Sequence, residues 1–235
     1  MIKDHFENRA SDWDQETRRT NGAKKIADAI SKNMNLTSNM DILDFGVGTG
    51  LLGFEIAKNV RQVYGVDTSA SMLEKLKAKN TPELNIQTFC QDIVKEPLNQ
   101  KFDGLVSSMT LHHVKNLELF FKTIYKNLKD NGFIAIADLQ SEDGSFHSDN
   151  AGVFHFGFNE KELSDIIEKA GFTQVKFEDI NTISKPHKDF GVFLLTAKKK
   201  LKIYSSSLSR SFNFKTCLSV ITVLNSPSKT FISKT

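Results

Sequence analysis

The spacing of apolar residues along this chain switches repeatedly between two periods. In "GAKKIADAISKNM" (22–34), Ile26, Ile30 and Met34 recur every four positions, one stripe of a helix. "MDILDFG" is a short apolar run closed by glycine and predicts a buried strand. The alternation continues with a helix over "LLGFEIAKNV", a strand over "QVYGVD" and a helix over "SASMLEKLKAKN", for which Ser69 or Ser71 is the cap. Strands follow over "LNIQTFC" and "FDGLVSSM". "NLELFFKTIYKNL" places Leu117, Phe121, Ile124 and Leu128 on one helical face, and the glycine of "DNG" is expected to stop it. "FIAIADL" predicts a fifth strand. After an aperiodic stretch from Gln140 to Phe158, "NEKELSDIIEKAG" reads as a helix capped by Asn159 and ended by Gly171. "FTQVKFEDI" and "FGVFLLTAKK" have no helix between them, so they are expected to pair antiparallel at one edge. Such alternation predicts α/β architecture: a seven-stranded, doubly wound, mostly parallel sheet with an antiparallel edge strand and helices on both faces, spanning residues 1–200.

Charge sets the last 35 residues apart. Residues 201–235 carry five basic residues and no acid, and hold nine serines and four threonines; they read as a poorly ordered basic tail. The first 200 residues hold 26 basic and 28 acidic side chains, a net −2, so the overall +3 gives the folded part no nucleic-acid footprint. No apolar run approaches the ~20 residues of a membrane helix, and no membrane partner is expected. Cys90 and Cys217 are too few for a disulfide framework or a cysteine zinc site, which fits a reduced, cytoplasmic protein.

The chemistry concentrates in "DILDFGVGTGLLG" (41–53). Gly48, Gly50 and Gly53 spell the GxGxxG of dinucleotide-binding loops, but that register forces Asp44 and Gly46 into the body of the strand, where neither fits. Ending the strand at Asp44 instead gives a turn built on Gly46, Gly48 and Gly50. A carboxylate then stands in the crevice where open α/β sheets bind ligands, and it suits a cationic ligand rather than a phosphate.

This pattern resembles the first motif of the class I (Rossmann-like) S-adenosylmethionine-dependent methyltransferases, of the small-molecule type. "VYGVDTSASML" is similar to their second signature, which implies Asp67 on the ribose hydroxyls with Thr68 and Met72 beside it. "CQDI" resembles the segment after strand three, which implies Asp92 at the adenine amino group and Ile93 against the ring. "FDGLVSSMTLHHV" is similar to the fourth-strand segment and implies Ser107 beside the transferred methyl. "LKDNGFIAIADL", "FGFNEKELSDIIEKAGF" and "VFLLTAKK" complete a resemblance over roughly residues 5–199. The implied cofactor is S-adenosylmethionine and the implied partner a small-molecule acceptor methylated on O, N or C.

Methyl transfer from a sulfonium needs a base only where the acceptor must lose a proton. His113 and then His112 are the catalytic candidates, with packing under the next helix as the competing reading. Residues 1–35 are expected to form a helical lid carrying Trp13, and His155 to stand near the acceptor in the long loop that also holds His147. No metal site is expected, since the histidine spacing matches no ligand motif and His112 and His113 are adjacent. A nicotinamide oxidoreductase, a non-catalytic cofactor-binding or partner-activating subunit, and a protein or nucleic-acid methyltransferase are the rivals; "SSMT" in place of an Asp/Asn-Pro-Pro-aromatic turn and the acidic core disfavour the last.

Overall fold

The structure, a computed structural model, describes residues 13–200 apart from Asn85. Each run with strand spacing is a strand: β1 (Asp41–Phe45), β2 (Gln62–Asp67), β3 (Ile86–Cys90), β4 (Phe102–Ser108), β5 (Leu128–Leu139), β6 (Phe172–Lys185) and β7 (Lys188–Lys199). They form one sheet in the order β3-β2-β1-β4-β5-β7-β6. The pairs from β3 to β5 are parallel, whereas β7 runs antiparallel to both β5 and β6. The expected antiparallel pair therefore lies at one edge. The strand that runs against the rest is β7, one place in, and β6 is outermost.

Among the described residues five helices cover the sheet: α1 (Thr17–Asn33), α2 (Leu51–Ala57), α3 (Ala70–Lys79), α4 (Leu117–Asn127) and α5 (Glu160–Lys169). Period-two alternation in the strands divides the core. Leu43, Leu105, Ile134 and Ile136 pack with Phe120, Phe121 and Ile124 of α4 and with Leu163 and Ile167 of α5. Ile42, Val106 and Ala135 point the other way and meet Ile26 and Ile30 of α1, Leu52 and Ile56 of α2, and Leu73 and Leu76 of α3. Ser69, not Ser71, caps α3, its hydroxyl accepting from the Met72 N–H.

Three expectations need correction. The glycine of "DNG" does not stop α4. The helix ends at Asn127, because Leu128 turns extended and pairs with Phe102 in the sheet, and the left-handed residue of the following bulge is Asn131 (φ 62°). Next, α1 starts at Thr17, five residues ahead of the predicted stripe, and buries Ala23, Ile26, Ala27 and Ile30. It is a core helix whose first turns reach the ligand crevice, alongside Trp13 just ahead of them. Finally, β6 extends to Lys185, well past "FTQVKFEDI", because its hairpin with β7 continues as far as the Lys185–Lys188 pair. Residues 1–12 of the expected lid and the 201–235 tail lie outside the described residues.

The long loop is held in place along its length. Its ends meet at a Gln140–Phe158 bridge, the Glu142 N–H donates to Phe156 O at 2.9 Å, and Phe154 N–H donates to His112 O at 3.0 Å. Among the described residues no helix is long and apolar enough to cross a membrane.

Candidate functional site

The strand order reverses between β1 and β4, and their carboxyl ends part to open a crevice there. A cleft of about 740 Å³ occupies it. The glycine turn forms its floor, and each glycine answers a different constraint. Gly46 (φ +69°) lies under Thr110, whose side chain would stand 2.2 Å from an added Cβ. Gly48 (φ +53°) faces open space, with nothing nearer than 4.0 Å to an added Cβ, and its N–H donates to Asp67 Oδ2 at 2.8 Å. Gly50 (φ +88°) turns the chain into α2 under Phe54 and does not line the cleft. Gly53 keeps the first turns of α2 slim: a Cβ there would lie 2.9 Å from Asp44 Oδ2.

Asp44 ends the apolar run of β1 and lines the cleft with 1% exposure. Its Oδ2 is buried and has no hydrogen-bond partner among the described residues. Burial first, and the charge of Asp67 second, push its carboxyl up to about 8. Such a group calls for a cation or a donor. Asp67 closes the glycine turn from β2, with Oδ1 accepting from the Ser69 N–H at 2.9 Å in addition to its bond from Gly48. Thr68 and Met72 line the cleft beside it. Asp92 also lines the cleft; it accepts from the Val94 N–H at 3.0 Å and pairs with Lys95 at 3.0 Å.

Several expected site residues lie elsewhere. Ile93 is fully buried in the core, because the tight turn capped by Asp92 points it inward and presents Val94 to the cleft instead. Ser107 is buried with its hydroxyl donated to Phe45 O at 2.7 Å, and the next residue, Ser108, reaches the cleft. His155 is not in the cleft wall; its Nε2 sits 2.9 Å from Val114 O, so the ring fastens the long loop to the segment after β4.

The opposite wall is built from the chain beyond β4. Met109 takes a left-handed φ of 55° while its N–H donates to Ala137 O at 2.8 Å, and the short 3₁₀ turn Leu111–His113 follows. His112 is 1% exposed and its Nδ1 lies 2.7 Å from Oδ1 of Asp138, the buried acid near the end of β5. His113 Nδ1 lies 2.8 Å from Gly152 O. From the long loop, His147 leans against both, its ring 4.9 Å from that of His112 and 5.9 Å from that of His113. Burial and then the charges of these two neighbours push the His147 imidazole down to about 4, so it is neutral at pH 7.

Sequence reasoning did not anticipate Asp138, nor that His147 of the long loop packs against His112 and His113. Asp138 carried the same signal as Asp44, an acid closing an apolar run, whereas nothing in the spacing announced that His147 folds back onto residues 35 positions away. Trp13 lines the cleft with the Arg19 guanidinium 4.0 Å over its ring. Asp14 fixes this short segment, accepting from Thr49 Oγ1 at 2.5 Å and pairing with Lys79 at 2.5 Å. Asn181, Ile183 and Lys185, on the unexpected extension of β6, complete the wall, with Leu119 and Phe154 exposed nearby.

Residues 43–136 match the family described as a methyltransferase domain. An uncharacterised methyltransferase of Schizosaccharomyces pombe is 29% identical over 157 residues, 59% of this chain and 55% of that one. The ubiquinone biosynthesis O-methyltransferase of Pelagibacter ubique is 31% identical over 104 residues, 43% of this chain and 42% of that one. The matched stretch thus spans about half the length of these relatives. The phosphoethanolamine N-methyltransferase 2 of Haemonchus contortus, solved with S-adenosyl-L-methionine, superposes with a TM-score of 0.61 at 19% identity, over 74% of this chain and 52% of that one. At that identity the likeness is one of fold.

Proposed function

We propose, from the class I S-adenosylmethionine-dependent methyltransferase domain that this chain carries, that the cleft binds S-adenosylmethionine and the protein methylates a small-molecule acceptor. The observation that carries the reading is Asp44: a buried carboxylate oxygen without a partner, raised to about 8, beside a glycine whose missing side chain leaves ligand space. An ammonium satisfies that oxygen and offsets the cost of burying its charge. The backbone of Gly46 and Gly48 lets the ligand pass close, Asp67 receives the ribose hydroxyls with Thr68 and Met72 at its flank, and Asp92 and Val94 border the adenine.

When bound, S-adenosylmethionine supplies a methyl group on a sulfonium, a good leaving group. The protein's share is then to orient the acceptor and exclude water. Ser108 and Met109 stand at the end of β4 beside the transfer point, and His113 and His112 border the acceptor. Trp13, stacked under Arg19, covers the opening. A volume of about 740 Å³ falls within the range of small-ligand pockets, roughly 300–1,000 Å³. Leu119 and Phe154 give its rim an apolar surface.

Calorimetry with S-adenosylhomocysteine and with NAD, followed by incubation with methyl-labelled S-adenosylmethionine and fractionated cell extract, tests the reading. Binding of the homocysteine product, no binding of NAD, and label in the low-molecular-weight fraction are expected. NAD binding without the other would overturn the cofactor assignment, and label confined to protein or nucleic acid would overturn the acceptor class.

A further inference from the structure

The three imidazoles at the cleft wall present more than packing. One ring nitrogen from each of His112, His113 and His147 lies within 4.8 Å of the other two. The ring centres are 4.2, 4.9 and 5.9 Å apart. Around a tetrahedral zinc with Zn–N of about 2.0–2.1 Å, nitrogens stand about 3.3 Å apart, so the trio needs to close by about 1.5 Å at most. His147 sits on the long loop, outside any strand or helix.

We infer that His112, His113 and His147 form a site for a divalent transition metal, zinc in the first place, with its remaining coordination position open to the cleft. Two tautomers are already set for this. Asp138 is fully buried and accepts the Leu139 N–H at 2.7 Å as well as the His112 ring at 2.7 Å, so the His112 proton sits on Nδ1 and its lone pair on Nε2. This is the carboxylate–histidine arrangement that orients metal-ligating imidazoles. Gly152 O can only accept, so the His113 proton likewise sits on Nδ1, with the lone pair on Nε2.

The third member supplies an independent observation. His147 Nδ1 is buried with no hydrogen-bond partner among the described residues. Simple ring packing explains why three histidines touch, but it leaves that atom unsatisfied; a metal ion bound through Nδ1 would satisfy it. Three imidazoles without a carboxylate among them suit zinc, cobalt, nickel or copper, and not magnesium or calcium. The expectation of no metal site rested on linear spacing, and the loop that carries His147 back over the 3₁₀ turn removes that objection.

An open metal position in this cleft favours an acceptor that ligates through oxygen, because the ion lowers the pKa of a bound hydroxyl and relieves the site of a general base. That last step rests on the methyltransferase reading; the metal site itself does not.

The test uses the full chain, purified without a polyhistidine tag and stripped with chelator. Zinc is titrated by competition with a chromophoric chelator, and cobalt by its visible absorption. One ion per chain is expected, with intense low-coordinate cobalt bands and at least tenfold weaker binding in His147→Ala, whose melting temperature reports that it folds. Asp138→Asn, which alters the proton position on His112, is expected to weaken binding about 10–100-fold. The absence of a stoichiometric site, or a site whose affinity and cobalt spectrum are unchanged in His147→Ala, would overturn the proposal. S-adenosylhomocysteine binding by the stripped wild-type protein reports separately on the cofactor reading.

Discussion

Asp44 is expected to make cofactor binding release a proton. In the free protein its carboxyl, raised to about 8 by burial and then by Asp67, keeps its proton at neutral pH. At pH 7 about nine molecules in ten are protonated there. An ammonium that docks on this carboxyl pairs with the ionised form alone, so binding S-adenosylhomocysteine at pH 7 is predicted to release about 0.9 proton. Below pH 8 each further unit costs about 1.4 kcal/mol, a tenfold loss of affinity. Between about pH 5.5 and 7 the ligand's own α-ammonium is largely charged, so the slope over that window belongs to the protein.

Calorimetry in two buffers of different ionisation enthalpy, at pH 6 and pH 7, gives both quantities from the same titrations. Asp44→Asn removes the titrating group while leaving a carbonyl oxygen in place. It should bind more weakly at pH 8 and show neither proton release nor a pH slope. Wild-type protein that binds with equal affinity at pH 6 and 7, and releases no proton, would refute the assignment of the ligand's ammonium to Asp44.

The same group predicts how the free protein's stability responds to pH. Between 3.8 and about 8 the folded state holds a proton that the unfolded chain has lost, so stability falls as pH rises through that window. Asp44→Asn should flatten the trend and be the more stable protein at pH 8 by on the order of 2 kcal/mol in urea denaturation, a gain in stability at the expense of binding. The two turn glycines should part in their effects. Gly46→Ala meets Thr110 at 2.2 Å and is expected to lower the melting temperature, whereas the Cβ of Gly48→Ala enters open cleft, so its effect is strain of about 1–2 kcal/mol plus a larger loss of S-adenosylhomocysteine affinity. Equal effects of the two on melting would contradict this division. Asp138→Ala deprives the His112 ring and the Leu139 N–H of their acceptor in a fully buried place and should cost about 2–3 kcal/mol, read from the urea midpoint.

The strands were legible because their signal is local. Ile42 and Leu43, or Leu105 and Val106, are apolar for different reasons, one for each face of the sheet, and a short unbroken apolar run is what burial on both faces produces. Asp44, the acid near the end of the first such run, was legible on the same ground. It was legible as a crevice residue near the carboxyl end of β1, although the strand runs one residue further than expected, to Phe45. Boundaries set by pairing were not legible. The end of α4 depends on Leu128 finding Phe102, and the reach of β6 depends on how far β7 runs beside it. Neither partner is visible from the segment itself.

The cleft's second half shows the same limit more sharply. Ile93 and Val94, or Ser107 and Ser108, differ by one position along the chain, and a turn decides which of each pair faces the ligand; resemblance to a motif locates the pair but not the member. The histidines depend on a longer closure. His112 and His113 come from the turn after β4, and His147 from a loop whose path follows from the Glu142–Phe156 and His112–Phe154 backbone bonds. The residue types were apparent in the sequence, and adjacency of His112 and His113 argued against a shared ion. What reverses that argument is that Asp138 and Gly152 O each fix a proton on Nδ1 of one ring. Two neighbouring rings can then offer Nε2 atoms to one point, and the third comes from the long loop beside them. A ligand set of this kind becomes visible only when the groups behind the ligands are placed, because those groups decide which nitrogen carries the lone pair.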